Sequence, residues 1–372
     1  MFRAADKWLI PYLARRKPVL ESGRIHLLLC VCDHFEPLHD TDSAGALQRI
    51  GVWRQRFPEL AASFRDSDGH PPKHTFFYPV EQYRWDLLDS LSDLCGHTGS
   101  EVEVHLHHHN DKPEVFRETL EEGKANLRKH GLLSSDLAGE IAYGFIHGNW
   151  ALNNSDPARR GCGVDREIPI LRQTGCYADF TMPSAPHPTQ TRIINSLYYA
   201  QDAPRRKAHD AGQPMTVGRT APLRDSADHL FLVQGPLAPD WRRRKCGILP
   251  RLENADLTAA NPPGLSRLRT WADQRIHVVG RPNWVFVKLH THGGIPRNYE
   301  MLLGEPMRRF HRELALFCTE SGIDFHYVTA REMVNIAHAA EDGVQGAAGE
   351  YRDYIYRHAC GKVSFGEQLA RG

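Results

Sequence analysis

Arg24-Ile-His-Leu-Leu-Leu-Cys-Val-Cys32 runs straight into Asp33-His34-Phe35-Glu36-Pro37. An almost unbroken apolar run of this kind is expected of a strand buried on both faces in a parallel sheet. The polar residues that follow mark its carboxyl end.

The same arrangement recurs along the chain. His74-Thr-Phe-Phe-Tyr78 is β-branched and aromatic and stops at Pro79. In Glu101-Val-Glu-Val-His105-Leu106, Val102, Val104 and Leu106 alternate with Glu101, Glu103 and His105, the period-two pattern of a strand with one apolar face; it ends in His107-His108-His109. Ile141 to Ile146 ends in His147-Gly-Asn149-Trp150, and Cys176 to Phe180 ends at Thr181-Met-Pro183. His229 to Val233 follows, then Trp284 to Leu289 ending in His290-Thr-His292, and Asp324 to Val328 ending at Thr329.

Helical patterns separate several of these strands. Ser43 to Phe64 has apolar residues at helical spacing, with Pro58 marking a break or a second start. Asp111-Lys-Pro113-Glu114 reads as a capping box with proline at the first helical position, opening a helix to about Lys129. Met301 to Cys318 and Ala330 to Ala340 supply two more, and Gly175 and Gly322 stand where a helix ends before the next strand. Alternating strands and helices predict a parallel α/β architecture, of which a closed (β/α) barrel is one form. In such a barrel the reacting groups gather at the carboxyl ends of the strands, where Asp33, His34, His105, His109, His147, His290 and His292 all fall.

The chain has 372 residues, enough for one large α/β domain or two smaller ones. Lys plus Arg number 46 against 45 Asp plus Glu, so no overall field favours nucleic acid or an anionic membrane. No stretch is long and apolar enough for a membrane span. Residues 1–23 read as an amphipathic helical segment whose apolar Trp8, Leu9, Ile10, Tyr12 and Leu13 precede Arg15, Arg16 and Lys17, the reverse of a secretory signal. It packs on the domain or touches a membrane surface. The eight Cys residues are scattered without a Cys-x-x-Cys pair, the usage of a reducing cytoplasm. The barrel is expected over 24–340, with a loop-rich insertion at about 203–275 and a C-terminal extension over 341–372. Within that insertion, Trp241-Arg-Arg-Arg-Lys245 is the sharpest basic cluster, a solvated face or a clamp for an acidic glycan or a phosphate-bearing sugar carrier.

His105 and His109 carry the metal expectation. Neutral imidazole is the commonest protein ligand of zinc, nickel or cobalt, and two imidazoles plus a carboxylate leave coordination positions open for water and substrate. His147, Asn149 and Trp150 have the makings of a sugar site, an aromatic face for the ring and amides for hydroxyls. Tyr177 and Asp179 share a strand face and line the pocket or fill the interior.

The order of these motifs, over about residues 24–335, resembles the polysaccharide deacetylase (NodB-homology) superfamily, metal-dependent hydrolases on a distorted (β/α) barrel that remove acetyl groups from sugars. The family's first strand ends in two Asp residues, a general base and a metal ligand; Asp33 and His34 stand in those places. Its His-Ser/Thr-x-x-His metal motif falls on His105 to His109, with Leu106 where a hydroxyl residue is usual, and its late catalytic His on His290 or His292. The resemblance implies a distorted parallel (β/α) barrel of about seven strands and one divalent metal ion, zinc before nickel or cobalt, held by His105, His109 and Asp33 or His34. Asp33 then serves as base with Glu36 in reserve or against the substrate, and His290, or His292 in its stead, gives the leaving nitrogen its proton. The substrate would be a saccharide or sugar-linked precursor of bacterial surface polysaccharide. Two other readings stand beside it. One is an amidohydrolase or phosphoesterase of the metal-dependent barrel type, suggested by His290-x-His292; the other is a glycan-binding barrel without catalysis.

Overall fold

A strand that is apolar on both sides needs a covering layer on each face, and the chain supplies two. The computed structural model describes residues 4–203 and 208–358. The chain begins with α1 (Ala5–Ala14), β1 (Ile25–His34), α2 (Ser43–Ala62), β2 (Thr75–Pro79), α3 (Trp85–Thr98), β3 (Glu101–Leu106) and α4 (Pro113–Lys129). It continues through β4 (Ser134–Ser135), β5 (Ile141–His147), α5 (Glu167–Gln173), β6 (Cys176–Asp179), β7 (Leu197–Gln201), β8 (Gly212–Pro214) and β9 (His229–Val233). A hairpin of β10 (Ala238–Lys245) and β11 (Leu249–Glu253) leads into β12 (Asp256–Leu257), α6 (Leu265–Ala272) and β13 (Trp284–Thr291). The last elements are α7 (Pro296–Leu302), α8 (Glu305–Ser321), β14 (Ile323–Tyr327), α9 (Ala330–Glu341) and β15 (Arg357–His358).

The fold is mixed α/β around a largely parallel central sheet. Its path is β12-β13-β1-β2-β3-β5-β6-β9-β7-β8, parallel as far as β9 and antiparallel thereafter. The expected barrel of about seven strands differs from this in count and outline: the sheet has 13 strands, and among the described residues no ladder joins β8 to β12. The physical reason lies in edge use. Antiparallel β7 takes the edge of β9 that a further parallel strand would need, and β7 and β8 flank residues 204–207, which lie outside the described part. One edge of β1 is also shared, by β14 along Ile25–Leu29 and by β2 along Cys32–His34.

Two apolar cores follow from the pleat. Leu27, Leu29 and Val31 pack with α2, α3, α4, α5 and α8 on what we call the outer face, while Leu28, Cys30 and Cys32 pack with α9 on the inner face. Every residue of α9 is buried. It opens on a capping box, Thr329 with Glu332, and its Arg331 pairs at 2.8 Å with Glu101. The polar side of β3 is therefore not a solvent face: Glu101 and Glu103 are buried, Glu103 accepting from the Tyr177 hydroxyl and the Gly144 N–H.

Local readings differ at three helices. α2 runs unbroken past Pro58. α4 starts at Pro113 as expected, but its N-cap is Lys112, because Asp111 turns to His108 at 3.2 Å. The helical stretch from Met301 divides at Gly304, and α8 closes on Gly322 in the left-handed conformation, φ 63°. The first segment forms α1, with Trp8 buried against Ala185, Ile194 and Leu237. Residues 359–372 of the C-terminal extension lie outside the described residues, whereas Arg357 and His358 pair with β4. No helix among the described residues is long and apolar enough to cross a membrane.

Candidate metal centre

Parity along each strand decides which polar residues meet. On β1 the side chains of Cys30, Cys32 and then His34 face inward; on β13, which runs beside it with Cys32 opposite His290, Lys288, His290 and His292 do the same. The His34 ring lies 4.9 Å from that of His105, 4.7 Å from His292 in a stacked pair, and 6.2 Å from His290. Trp150 closes over them, 4.9 Å from His34 and 5.6 Å from His290. Burial, reinforced by the neighbouring imidazoles, holds His34 well below the ordinary imidazole range, and burial beside Lys288 and His292 does the same to His290. His292 is lowered by burial as well, against the pull of Glu36 and Asp33. Burial thus favours the neutral form of all three rings, and the Nε2 of His34 and the Nδ1 of His290 are buried without a hydrogen-bond partner among the described residues.

Next to this cluster, Glu36, His105 and His107 bring three ligand atoms within 4.8 Å of one another. Their tautomers are set by what lies behind them. The Nδ1 of His105 is 3.0 Å from the Ile146 carbonyl, which can only accept, so Nδ1 carries the proton and Nε2 turns its lone pair to Glu36 Oε1 at 3.3 Å. His107 repeats the arrangement: Nδ1 donates to Glu81 Oε1 at 2.7 Å, and Nε2 lies 3.0 Å from the same Glu36 oxygen. A lone pair facing a carboxylate is repulsive unless a proton or a cation stands between them. Imidazoles anchored through Nδ1 on a carbonyl or carboxylate and aimed through Nε2 are arranged as metal-ligating histidines are. Burial works against the charged forms here, yet the mutual bonds prevail: Glu36 is held well below the usual carboxylate range, and Glu36 with Glu81 pushes His107 up to about 9.

Two other groups could hold an ion by proximity, and their chemistry is less suited. His108, His147, Cys162 and Glu167 lie together beneath the outer face. There the Nδ1 of His147 accepts the N–H groups of Asn149 at 3.1 Å and Ala151 at 3.4 Å, so Nε2 keeps its proton and has no lone pair to offer. In the group of Asp66, Asp68 and His326, the two carboxylates already share the Arg352 guanidinium at 3.0 and 3.1 Å, and His326 Nδ1 lies 2.7 Å from Asp68.

No protein-family model and no curated protein matches the chain. The assignment of the site therefore stands on its geometry.

The structure brings His34, His105, His290, His292, Glu36 and Trp150 together, and separates the other expected residues. Asp33 sits one position from His34 and so faces the outer side, where Oδ2 meets His74 Nε2 at 2.8 Å and Oδ1 accepts the Gly293 N–H at 2.6 Å. It is not placed as a ligand or as a base. A side chain at Gly293 would put its Cβ 2.1 Å from Asp33, so only glycine lets that carboxylate grip the backbone after His292. His109 is exposed and accepts the Gly161 N–H at 2.9 Å, away from His105. His147, with its two local bonds, shapes the turn that carries Trp150 rather than a substrate surface. Asn149 donates to the carbonyls of His108 and Gly161. Together with His109, Asp156, Arg160 and His187, Asn149 and Trp150 line an open groove of about 580 Å³ beside the centre. Tyr177 fills the interior against Tyr356 and Glu103. Asp179 is buried against Thr181, and burial pushes it up to about 7.

His107 and its anchor Glu81 are absent from the sequence reading, and a signal for His107 was present. Continuing the period-two count of β3 past Leu106 selects His107 as the inward neighbour of His105, where a four-residue turn selects His109.

Proposed function

We propose that the chain is a metal-dependent hydrolase that removes an acetyl group from a saccharide or sugar-linked substrate, as the resemblance to polysaccharide deacetylases implies, on a distorted member of that (β/α) framework. The observation that carries the reading is the convergence of His105 Nε2 and His107 Nε2 on Glu36 Oε1 with both Nδ1 atoms spoken for. Glu36, His105 and His107 would hold one divalent cation, zinc first by the donor set, with nickel, cobalt or iron as other occupants of two imidazoles and a carboxylate. When bound, such an ion acidifies a water and polarises an acyl oxygen.

The remaining steps belong to the chain's own side chains. His292, neutral and beside Glu36, takes the proton of the attacking water and, once protonated, returns that proton to the leaving nitrogen or oxygen, while His290, held neutral by burial, faces the acyl group across the cluster. Trp150 stacks on the sugar while the open groove admits the rest of the chain. Asp33, the base by motif order, holds the Gly293 backbone so that His292 stays against His34. Three neutral imidazoles at one site also favour a second reading, a phosphoesterase of the metal-dependent barrel type.

Release of acetate from N- and O-acetylated oligosaccharides, assayed beside release of phosphate from sugar phosphates, decides between the two. The first reading expects metal-dependent acetate release that is lost in Glu36→Gln and His107→Asn. Phosphate release without acetate release would replace it with the second, and neither release, with no bound metal, would leave a glycan-binding barrel.

A further inference from the structure

Two segments far apart in sequence meet on one side of the molecule and share a composition unlike the rest. Residues 241–252, the greater part of the β10–β11 hairpin, contain Arg242, Arg243, Arg244, Lys245 and Arg251 between the acidic Asp240 and Glu253 that flank them, and residues 10–20 contain Arg15, Arg16 and Lys17 with no acidic residue. In a chain whose net charge is +1, this is a local concentration of positive charge. The segments are joined by Asp273, which Lys17 and Arg242 approach at 4.0 and 3.9 Å, and Leu252 of the hairpin packs on the Trp8 core of α1. Among the basic groups, Arg243 is committed to Asp240 and Glu253, while Arg16, Arg244, Lys245 and Arg251 are exposed without an acidic partner in the described ion pairs.

Large apolar side chains are exposed on the same two segments. Ile248 is 74% and Trp241 58% exposed on the hairpin, with Leu249 beside them, and Ile10 and Leu13, three residues apart on one face of α1, are 72% and 74% exposed. Leaving such residues in water has no structural return, whereas an interfacial aromatic, aliphatic tips and a basic surround are what an anionic bilayer surface binds. Nucleic acid would use the charge but not the aliphatic tips. The hairpin also stands at the right end of the fold: β11 passes into β12, which pairs with His290 and Thr291 at the carboxyl end of β13.

We propose that α1 and the β10–β11 hairpin form a docking face for an anionic lipid bilayer, which sets the imidazole end of the sheet near the membrane surface. This is independent of the hydrolase reading.

The test uses the full chain and sedimentation with phosphatidylcholine vesicles, with and without phosphatidylglycerol. Binding to the anionic vesicles is expected to be at least about tenfold tighter than to neutral ones and to weaken with salt. Ile248→Ser with Leu249→Ser, and separately Arg244→Glu with Lys245→Glu, are each expected to weaken it at least about tenfold, with circular dichroism and metal content unchanged because these positions are exposed. The Trp241 emission, isolated by difference from Trp241→Phe, should shift to the blue on anionic vesicles. Equal binding to both vesicle types, or anionic binding untouched by the apolar pair, overturns the proposal; binding to single-stranded DNA that matches vesicle binding and ignores the apolar pair assigns the face to a polyanion instead.

Discussion

His105 Nε2 lies 3.3 Å from Glu36 Oε1 with its lone pair toward the carboxylate, because the ring proton sits on Nδ1, which donates to the Ile146 carbonyl. Two electron-rich atoms are held face to face by a buried strand and a strand end, and His107 joins them from the other side at 3.0 Å. The arrangement is stable only around a positive charge. In the metal-free chain that charge is the proton on His107, and a divalent cation takes its place.

This exchange has a pH signature. The folded metal-free chain holds His107 at about 9, above its ordinary 6.5, so its contribution is complete below pH 6.5 and is lost as pH rises through about 9. The loss is expected to be on the order of 2 kcal/mol after screening of a side chain that is partly exposed. With metal bound there is no proton to lose. Urea unfolding in chelator against unfolding with zinc, across that window, should diverge by this amount; parallel curves would mean that the cation sits elsewhere.

Asp33 is expected to act by positioning. Asp33→Ala leaves His74 and the Gly293 N–H buried without their carboxylate and should cost about 3–5 kcal/mol, while Gly293→Ala should cost at least about 1–3 kcal/mol by crowding Asp33. Asp33→Asn keeps one acceptor for Gly293 and should retain its metal and most of its kcat, whereas Asp33→Ala should lose kcat through a displaced His292. Loss of metal from a folded Asp33→Asn protein would make Asp33 a ligand.

Trp150 offers its ring to both His34 and the groove. Trp150→Ala is expected to raise KM about tenfold, with Trp150→Phe recovering most of it, since stacking rather than a hydrogen bond is removed. A fall in kcat with KM unchanged would place the indole in the chemistry itself.

Glu103 supplies a further pH test remote from the centre. Burial raises it to about 8 from 4.5, so the folded chain holds a proton that the unfolded chain has shed, and stability declines as pH climbs from about 4.5 to about 8. Glu103→Gln mimics the protonated form toward Tyr177 and Gly144. It should abolish a decline of a few kcal/mol, measured by unfolding at about pH 5 and about pH 8.

Much of this was legible in the residues. The apolar run before Asp33 gives β1 and the two-sided burial that a parallel sheet requires, and the alternation from Glu101 gives β3 with His105 at its end. The inward face was harder to read, because parity had to be carried past the end of the strand: His107 and Glu36 fall on the inner side by that count and Asp33 does not, while His109 shares the count but lies beyond the strand, where its ring accepts the Gly161 N–H instead. Glu101 and Glu103 look like a solvent face until α9 brings Arg331 beneath them, a contact 230 residues away in sequence. The antiparallel strands β7 and β8 are short and polar at their ends, so nothing local distinguishes them from loop. Thr329 and Glu332 box the start of α9, among the described residues the one helix buried along its whole length.

Anomalous X-ray scattering from crystals of the purified full chain, recorded on both sides of the zinc edge and repeated for other transition metals, tests the centre most directly. The account expects a single strong peak between Glu36 Oε1, His105 Nε2 and His107 Nε2 that vanishes in His107→Ala. A peak among His108, Cys162 and Glu167 instead, or no peak at Glu36 in protein prepared with the metal present, would contradict it.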